Sequence, residues 1–257
     1  MARSLFDLTD RLALVTGSSR GLGLALATGL AEHGARVILH GRDTEALARA
    51  REHVDQTAPG GVAGTVTFDV TDSSAVREGV TELVATHGVP DVLVNNAGVQ
   101  KRAPFAEFDP ADWDAVIATN LSAAFYVARE ITAHMVERGS GKVVNIGSVM
   151  SRLARQTIAP YSASKAGLAM LSQGMAADLA RHGIQVNTLS PGYFATEMNT
   201  ALVEDEQFDF WLRARTPAQR WGRPEELVGT LVYLASDASS FVSGQNIVVD
   251  GGITAVV

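Results

Sequence analysis

Short apolar runs of strand length alternate along this chain with longer stretches of helical character, and that alternation constrains its fold more tightly than any other feature. Residues 11–16 carry the run Leu-Ala-Leu-Val and pass straight into a glycine-rich turn. A helical pattern over 22–33 stops at Gly34, a natural C-terminal glycine. Residues 36–40 form the next strand. A helix from Thr44, with apolar Leu47 and Val54, ends at the breaker Ala58-Pro59-Gly60-Gly61. Residues 65–70 read as a third strand and 73–86 as a third helix, closed by Gly88 and Pro90. Consecutive parallel strands need crossovers of helical length, so this order predicts a parallel sheet covered by helices on both faces.

The second half repeats the scheme without repeating the sequence. Strands are expected at 91–94, 142–148, 184–190 and 245–249, with helical regions at 110–137, 160–182 and 224–236. Residues 193–223, after the Pro191-Gly192 break, carry Trp211 and Trp221 among charges and read as an irregular substrate loop or lid. The expectation is one α/β domain over 1–257: a Rossmann-type, doubly wound, seven-stranded parallel sheet. A chain of 257 residues, 46% apolar and 19% charged, has ample material for that core.

Composition removes several kinds of chemistry. A net charge of -7 without a long basic run argues against nucleic acid or an anionic membrane as partner, and Arg42, Arg49 and Arg51 are read as one solvated helix. The absence of cysteine rules out disulfides, thiolate catalysis and cysteine-ligated zinc. The six histidines show no ligand spacing, so no metal is assigned. Residues 1–11 lack the apolar core of a signal peptide, and no apolar run reaches the ~18 residues of a membrane span. The expected location is the cytoplasm.

The turn after the first strand reads Thr16-Gly17-Ser18-Ser19-Arg20-Gly21-Leu22-Gly23. Its glycines allow a tight turn and close approach of backbone to a diphosphate, and the following helix offers free amides at its positive end. Gly17, Ser19, Arg20, Gly21, Leu22 and Gly23 are therefore candidate cofactor contacts, although the spacing is not that of the usual dinucleotide fingerprint. An NAD site would place a carboxylate at the end of the second strand. Here Leu39-His40-Gly41-Arg42 has none before Asp43. Arg20 and Arg42, beside Gly41, would instead converge on a 2′-phosphate, which predicts NADP(H).

Tyr161 and Lys165 lie four residues apart, on one face of a helix, with Ser148 thirteen residues upstream of the tyrosine. An unperturbed phenol ionises near pH ~10, and poising it near neutrality takes roughly three units, about 4 kcal/mol. A neighbouring ammonium acts in that direction.

Taken together these motifs resemble the short-chain dehydrogenase/reductase family over nearly the whole chain. The glycine turn, Asp69-Val70, Asn95-Asn96-Ala97-Gly98, Asn120, Ser148, Tyr161 with Lys165, and Pro191-Gly192 appear in order. The resemblance implies that Asp69 and Val70 hold the adenine and that Asn96, Ala97 and Gly98 pack against the cofactor. It makes Asn120, Ser148, Tyr161 and Lys165 the catalytic tetrad, with Tyr161 and Lys165 also touching the cofactor and Asn120 holding a water. Pro191, Gly192, Phe194 and Thr196 would close over the nicotinamide amide. The family is usually tetrameric. Small residues at Ala166, Gly167, Ala169, Gly174, Ala176 and Ala177 would admit a helix of a second subunit, while Leu168, Met170, Leu171, Met175 and Leu179 are read as the packing face of the same helix.

A narrower similarity, carried by residues 4–9, 95–102, 158–161, 191–198 and 215–222, is to members of the family that reduce keto sugar acids with NADP. A sugar-acid carboxylate needs a cation, and Arg102, Arg152 and Arg155 are the candidates, Arg102 first. Ser148 and Tyr193 complete the expected substrate contacts, with Gln100 and Glu197 as further hydroxyl partners. A 3-oxoacyl carrier-protein reductase and a dinucleotide-sensing regulator without turnover stand as alternatives.

Overall fold

The computed structural model describes residues 4–256. Its core is a seven-stranded sheet in the order β3-β2-β1-β4-β5-β6-β7, parallel throughout. The strands are β1 (Leu12–Val15), β2 (Arg36–His40), β3 (Val62–Val66), β4 (Val92–Asn95), β5 (Gly141–Ile146), β6 (Ile184–Pro191) and β7 (Asn246–Val249). Between them run α1 (Gly21–Glu32), α2 (Thr44–Thr57), α3 (Ser73–His87), α4 (Pro110–Ile117), α5 (Ala123–Arg138), α6 (Ala159–Leu179), α7 (Thr200–Val203), α8 (Glu206–Arg215) and α9 (Val228–Ala235). Leu14, Ile38 and Leu93 point to one face of the sheet and Ala13, Val15 and Val37 to the other, so every central strand is apolar on both sides. One core joins α1, α2 and α9 to the sheet, and the other joins α3, α5 and α6.

The strand order reverses direction between β1 and β4, each of which leads into a loop at the carboxyl edge. Such a switch point leaves a crevice where ligands settle in doubly wound sheets.

Three expectations change. The third strand begins at Val62 and ends at Val66, three residues ahead of the reading at 65–70. Gly61 turns the chain at φ +63°, and Asp55 Oδ1 accepts the Val62 N–H at 2.8 Å, so pairing starts at once. Phe68, Asp69 and Val70 are thereby freed to cross the carboxyl edge. The helical region at 110–137 is broken by a π-turn at Ala118–Ser122, which holds Asn120. Residues 193–223 contain α7 and α8, where an irregular loop was expected. Asp205 caps α8 by accepting from the Gln207 and Phe208 amides, and only Leu212 of that helix is fully buried, so its apolar pattern is too sparse to read.

Two smaller readings also fall. Arg42 precedes the Asp43 cap of α2, so only Arg49 and Arg51 share that helix. Met170 is 65% exposed, and the buried stripe of α6 runs through Ser164, Lys165, Leu168, Ser172 and Ala176. Two polar residues and a lysine on that stripe weaken the periodicity by which a buried face is recognised. Among the described residues no helix is long and apolar enough to cross a membrane, and no three His, Cys, Asp or Glu side chains gather to hold a metal.

Candidate active site at the carboxyl edge of the sheet

The glycine turn is built as a cradle. Gly17 and Gly21 adopt φ +64° and +56°, which a side chain would strain. A Cβ on Gly23 would collide with the Gly17 carbonyl oxygen, and one on Gly17 would lie 3.0 Å from Ala97 Cα, so the turn is pressed against the Asn95-to-Gly98 loop. Asn96 clamps it, donating through Nδ2 to the carbonyls of Thr16 (3.0 Å) and Gly17 (3.1 Å). Thr16 Oγ1 accepts the amides of Asn96 and Ala97 in return. Gly21 faces open space, and α1 begins there with no side-chain cap and no acidic residue in its first turn. These first amides and the helix dipole fit a diphosphate. A Cβ on Gly41 would lie 3.3 Å from the Ser19 side chain, and Leu22 packs into the core beneath.

Arg20 and Arg42 flank the cradle, both largely exposed. Arg42 lies 3.6 Å from the Asp69 carboxylate and Arg20 3.7 Å from Glu197. Neither pair is close enough to occupy its guanidinium fully, and exposed pairs of this kind are worth ~1 kcal/mol or less. Asp69 is held below the ordinary carboxylate range chiefly by the Thr71 amide and hydroxyl, which donate to Oδ1 at 2.9 and 2.7 Å. Val70 is buried beside it. Glu197 therefore faces Arg20 and the cradle, where sequence reading made it a substrate partner.

The catalytic candidates converge around α6. Ser148 follows β5 and caps the short turn Val149–Ser151, its Oγ accepting the Met150 amide at 3.1 Å. Lys165, 5% exposed, donates from Nζ to the Ile146 carbonyl at 2.7 Å and lies 5.7 Å from the Tyr161 ring centroid. Burial lowers its pKa to about 8. Tyr161 departs from expectation. Burial pushes its phenol above the ordinary range and a hydrogen bond with Ser148 opposes that shift, while the Lys165 ammonium donates to the Ile146 carbonyl.

Asn120 is spoken for as well. Its Oδ1 accepts the Val99 amide at 2.8 Å, and its Nδ2 donates to the Val99 carbonyl (3.0 Å) and to Ser164 Oγ (3.1 Å). Ser164 passes its own proton to the Tyr161 carbonyl at 2.7 Å. The side-chain amide thus locks the loop after β4 onto the start of α6, with both of its N–H groups in use. Gly98 lies in this junction, its missing Cβ 3.3 Å from Asn120 Oδ1 and 3.8 Å from Lys165 Nζ. Val99, Ile146 and Ser164 were not legible as site residues, since two of them act through backbone atoms that any side chain could carry.

On the substrate side the Ala103 amide donates to the Thr157 carbonyl at 3.1 Å, which ties the Arg102 loop to the run before Tyr161. Thr157 sits at φ +70°, strained for a β-branched residue. Arg102 and Arg155 lie near Tyr193 and each other: burial and then the Arg155 charge lower the Arg102 pKa, and both arginines oppose the upward push of burial on the Tyr193 phenol. Arg155 lies 5.2 Å from the Phe208 ring centroid, and its Nε is buried without a partner. Among the described residues neither arginine has a carboxylate within ion-pair reach. Gln100 meets Arg102 at 3.4 Å. Arg152 is instead committed to the Asn246 carbonyl.

Tyr193, Phe208, Trp211 and Trp221 form an aromatic wall, with Trp221 Nε1 donating to Asp209 at 2.7 Å. Pro191 and Gly192 close the end of β6, the Gly192 amide donating to the Val249 carbonyl. Phe194 is 5% exposed and part of the core, while Thr196 is half-buried at the rim. A cavity of about 90 Å³ lies behind this segment, between Phe194, Arg220 and Asp250. Tyr193 lines it, and none of Ser148, Tyr161 or Lys165 does.

A parallel sheet with a phosphate cradle at its switch point and a Ser-Tyr-Lys cluster across the crevice defines an oxidoreductase class, and sequence comparison agrees. The family model described as enoyl-(acyl carrier protein) reductase matches residues 17–254, and the chain belongs to this family of short-chain dehydrogenases/reductases. It is 54% identical to gluconate 5-dehydrogenase of Gluconobacter oxydans (strain 621H), over 97% of both chains. It is 49% identical to 5-keto-D-gluconate 5-reductase of Escherichia coli (strain K12), over 98% of this chain and 99% of the other. A gluconate 5-dehydrogenase from Burkholderia cenocepacia J2315, solved in complex with NADP and tartrate, superposes with a TM-score of 0.95 at 50% identity, covering 98% of each chain.

Proposed function

We propose that this protein is an NADP-dependent oxidoreductase that interconverts a 5-keto sugar acid and its alcohol, with D-gluconate and 5-keto-D-gluconate as the pair. The observation that carries the reading is the pair of guanidiniums, Arg102 and Arg155, that converge beside Tyr193 without a carboxylate of the chain's own. A keto acid would bring that carboxylate, and an arginine fork meets it with parallel hydrogen bonds. The relatives named gluconate 5-dehydrogenase and 5-keto-D-gluconate 5-reductase, and the neighbour bound to NADP and tartrate, support it.

In this reading the chain's own groups position and protonate. Ser148 turns its hydroxyl proton to the ketone oxygen when substrate is bound, Tyr161 delivers the proton that converts the developing alkoxide to the alcohol, and Lys165 holds the ammonium near that phenol. Asn120 fixes the junction on which all three stand. The nicotinamide cofactor supplies the hydride. The cradle from Gly17 to Gly23, with Arg20, Gly41, Arg42, Asp69, Val70 and Asn96 to Gly98, holds its diphosphate and adenosine side. Backbone at Pro191 to Thr196 borders its nicotinamide side, and 193–223 is the substrate lid. The enzyme works in the cytoplasm as a homotetramer, and exposed Ala166, Met170, Gly174 and Ala177 along α6 suit a subunit contact there.

The test is an NADPH oxidation assay with 5-keto-D-gluconate beside an acetoacetyl thioester and a panel of keto sugars. Turnover confined to the thioester would favour a 3-oxoacyl reductase, and tight NADPH binding with no turnover would favour a sensor. Arg102→Ala is expected to raise the KM for 5-keto-D-gluconate about 30-fold, the loss of a charge-assisted bond of roughly 2 kcal/mol, with a smaller change in kcat. An unchanged KM would refute the clamp. Arg42→Ala is expected to cut the preference for NADPH over NADH by about tenfold, measured as the ratio of kcat/KM values. A ratio equal to that of the parent would remove Arg42 from the 2′-phosphate site.

A further inference from the structure

His40 has no place in the machinery above, yet it is the buried residue in which the three segments of the adenosine side meet. It ends β2 and is 3% exposed. Its Nδ1 accepts the Gly17 amide at 3.1 Å, and its Nε2 lies 3.1 Å from the Phe68 carbonyl. A carbonyl can only accept and an amide N–H can only donate, so the ring is neutral, with its proton on Nε2. Its backbone binds the same turn: the Ser18 amide donates to the His40 carbonyl at 2.9 Å, and the His40 amide donates to Ser18 Oγ at 2.9 Å. Ser18 Oγ passes its proton to the Val15 carbonyl, and the Phe68 ring packs on the imidazole at 4.3 Å.

We infer that His40 is a positioning residue for the cofactor's adenosine and diphosphate half, joining the glycine turn, the end of β2 and the crossing after β3 into one rigid surface. Each segment carries a proposed contact next to the joint. Gly17 starts the cradle, Arg42 lies two residues past His40, and Asp69 follows Phe68. The Gly17 amide points into the imidazole instead of toward a ligand, and this bond helps to hold φ +64° and the carbonyl that Asn96 clamps. An apolar side chain here would leave the Gly17 N–H and the Phe68 carbonyl buried without partners, a costly state that the backbone would relieve by moving.

Burial lowers the pKa to about 4, outweighing the bond to the Phe68 carbonyl and the charge of Asp69, which raise it; Arg42, the other charged group facing the ring, adds to the lowering. Protonation would set a second N–H against the Gly17 amide. Since an unfolded histidine takes up its proton near pH ~6.5, the stability His40 contributes is complete above that pH and lost as pH falls toward 4.

The inference rests on the cofactor placement proposed above, and the experiment separates the two. NADPH dissociation constants are measured by fluorescence titration for the parent, His40→Leu, His40→Asn and Arg42→Ala. His40→Leu is expected to weaken NADPH binding at least about tenfold, while kcat at saturating NADPH and the KM for the keto acid stay within about twofold, because the ring is remote from Ser148 and Tyr161. His40→Asn, whose Oδ1 replaces Nδ1 as acceptor for Gly17, is expected to recover most of the affinity. His40→Leu binding NADPH like the parent overturns the inference while the cofactor placement stands, provided that Arg42→Ala lowers affinity. If neither variant changes affinity, the placement fails. Should His40→Leu not fold, ¹⁵N shifts of the parent's His40 ring decide. A neutral Nε2–H tautomer that persists to about pH 5 with a slowly exchanging Gly17 amide supports the inference, and a protonated ring or the reversed tautomer overturns it.

Discussion

Tyr161→Phe is expected to bind NADPH as the parent does and to lose turnover by about 10³-fold, within the range of general acid catalysis. The change deletes one oxygen from a ring that stays packed against the apolar cluster of Val149, Ile158 and Trp221, so the pocket keeps its shape. The phenol's direction of shift makes the result sharper. Burial holds it above the ordinary tyrosine range, so at neutral pH it is a protonated acid ready for ketone reduction. Alcohol oxidation needs the ionised form and is expected to rise with pH through the alkaline range in the parent. Tyr161→Phe is expected to lose that rise. A variant that keeps a tenth of the parent rate and the same pH profile would mean that solvent or Ser148 delivers the proton.

Lys165→Met is expected to do two opposite things: turnover falls by about 10²-fold or more, and the fold becomes more stable at pH 7. The ammonium is 5% exposed with one carbonyl for a partner, and its pKa is lowered from 10.5 to about 8. The sign follows from proton uptake. Between about 8 and 10.5 the unfolded chain holds the proton more tightly than the folded one, so stability is lost as pH falls through that window. The full penalty of about 3 kcal/mol is present at neutral pH. Methionine has similar length and no charge, and leaving the Ile146 carbonyl unpaired costs only about 1 kcal/mol. Urea denaturation at pH 7 and pH 10.5 checks this, with the gain confined to the lower pH. A less stable variant at pH 7 would show that the Ile146 bond outweighs the burial of charge. That pair of outcomes would accord with a site where activity and stability compete.

Much of this was legible in one dimension. Alternating apolar runs and helical stretches predicted the seven parallel strands, because a strand buried on both faces must be apolar at consecutive positions. The glycine turn was legible because φ +64° at Gly17 and the crowded approach at Gly23 exclude other residues. Boundaries that depend on partners were not. β3 starts at Val62 because Asp55 caps its first amide, and α8 exists because Asp205 caps it and Leu212 finds a pocket under Trp221.

The sequence by itself determined which chemistry the chain could carry: residue types at set separations, with a cradle ahead of them. Only the tertiary structure decided how those residues stand. Lys165 donates to the Ile146 carbonyl, Asn120 bonds Val99 and Ser164, Arg152 is tied to the Asn246 carbonyl, and His40 joins three loops. The physical reason is common to all four. A side chain's type is local, but its charge state and partners are set by burial and by backbone donors and acceptors brought in from distant segments, and those are properties of the packed chain.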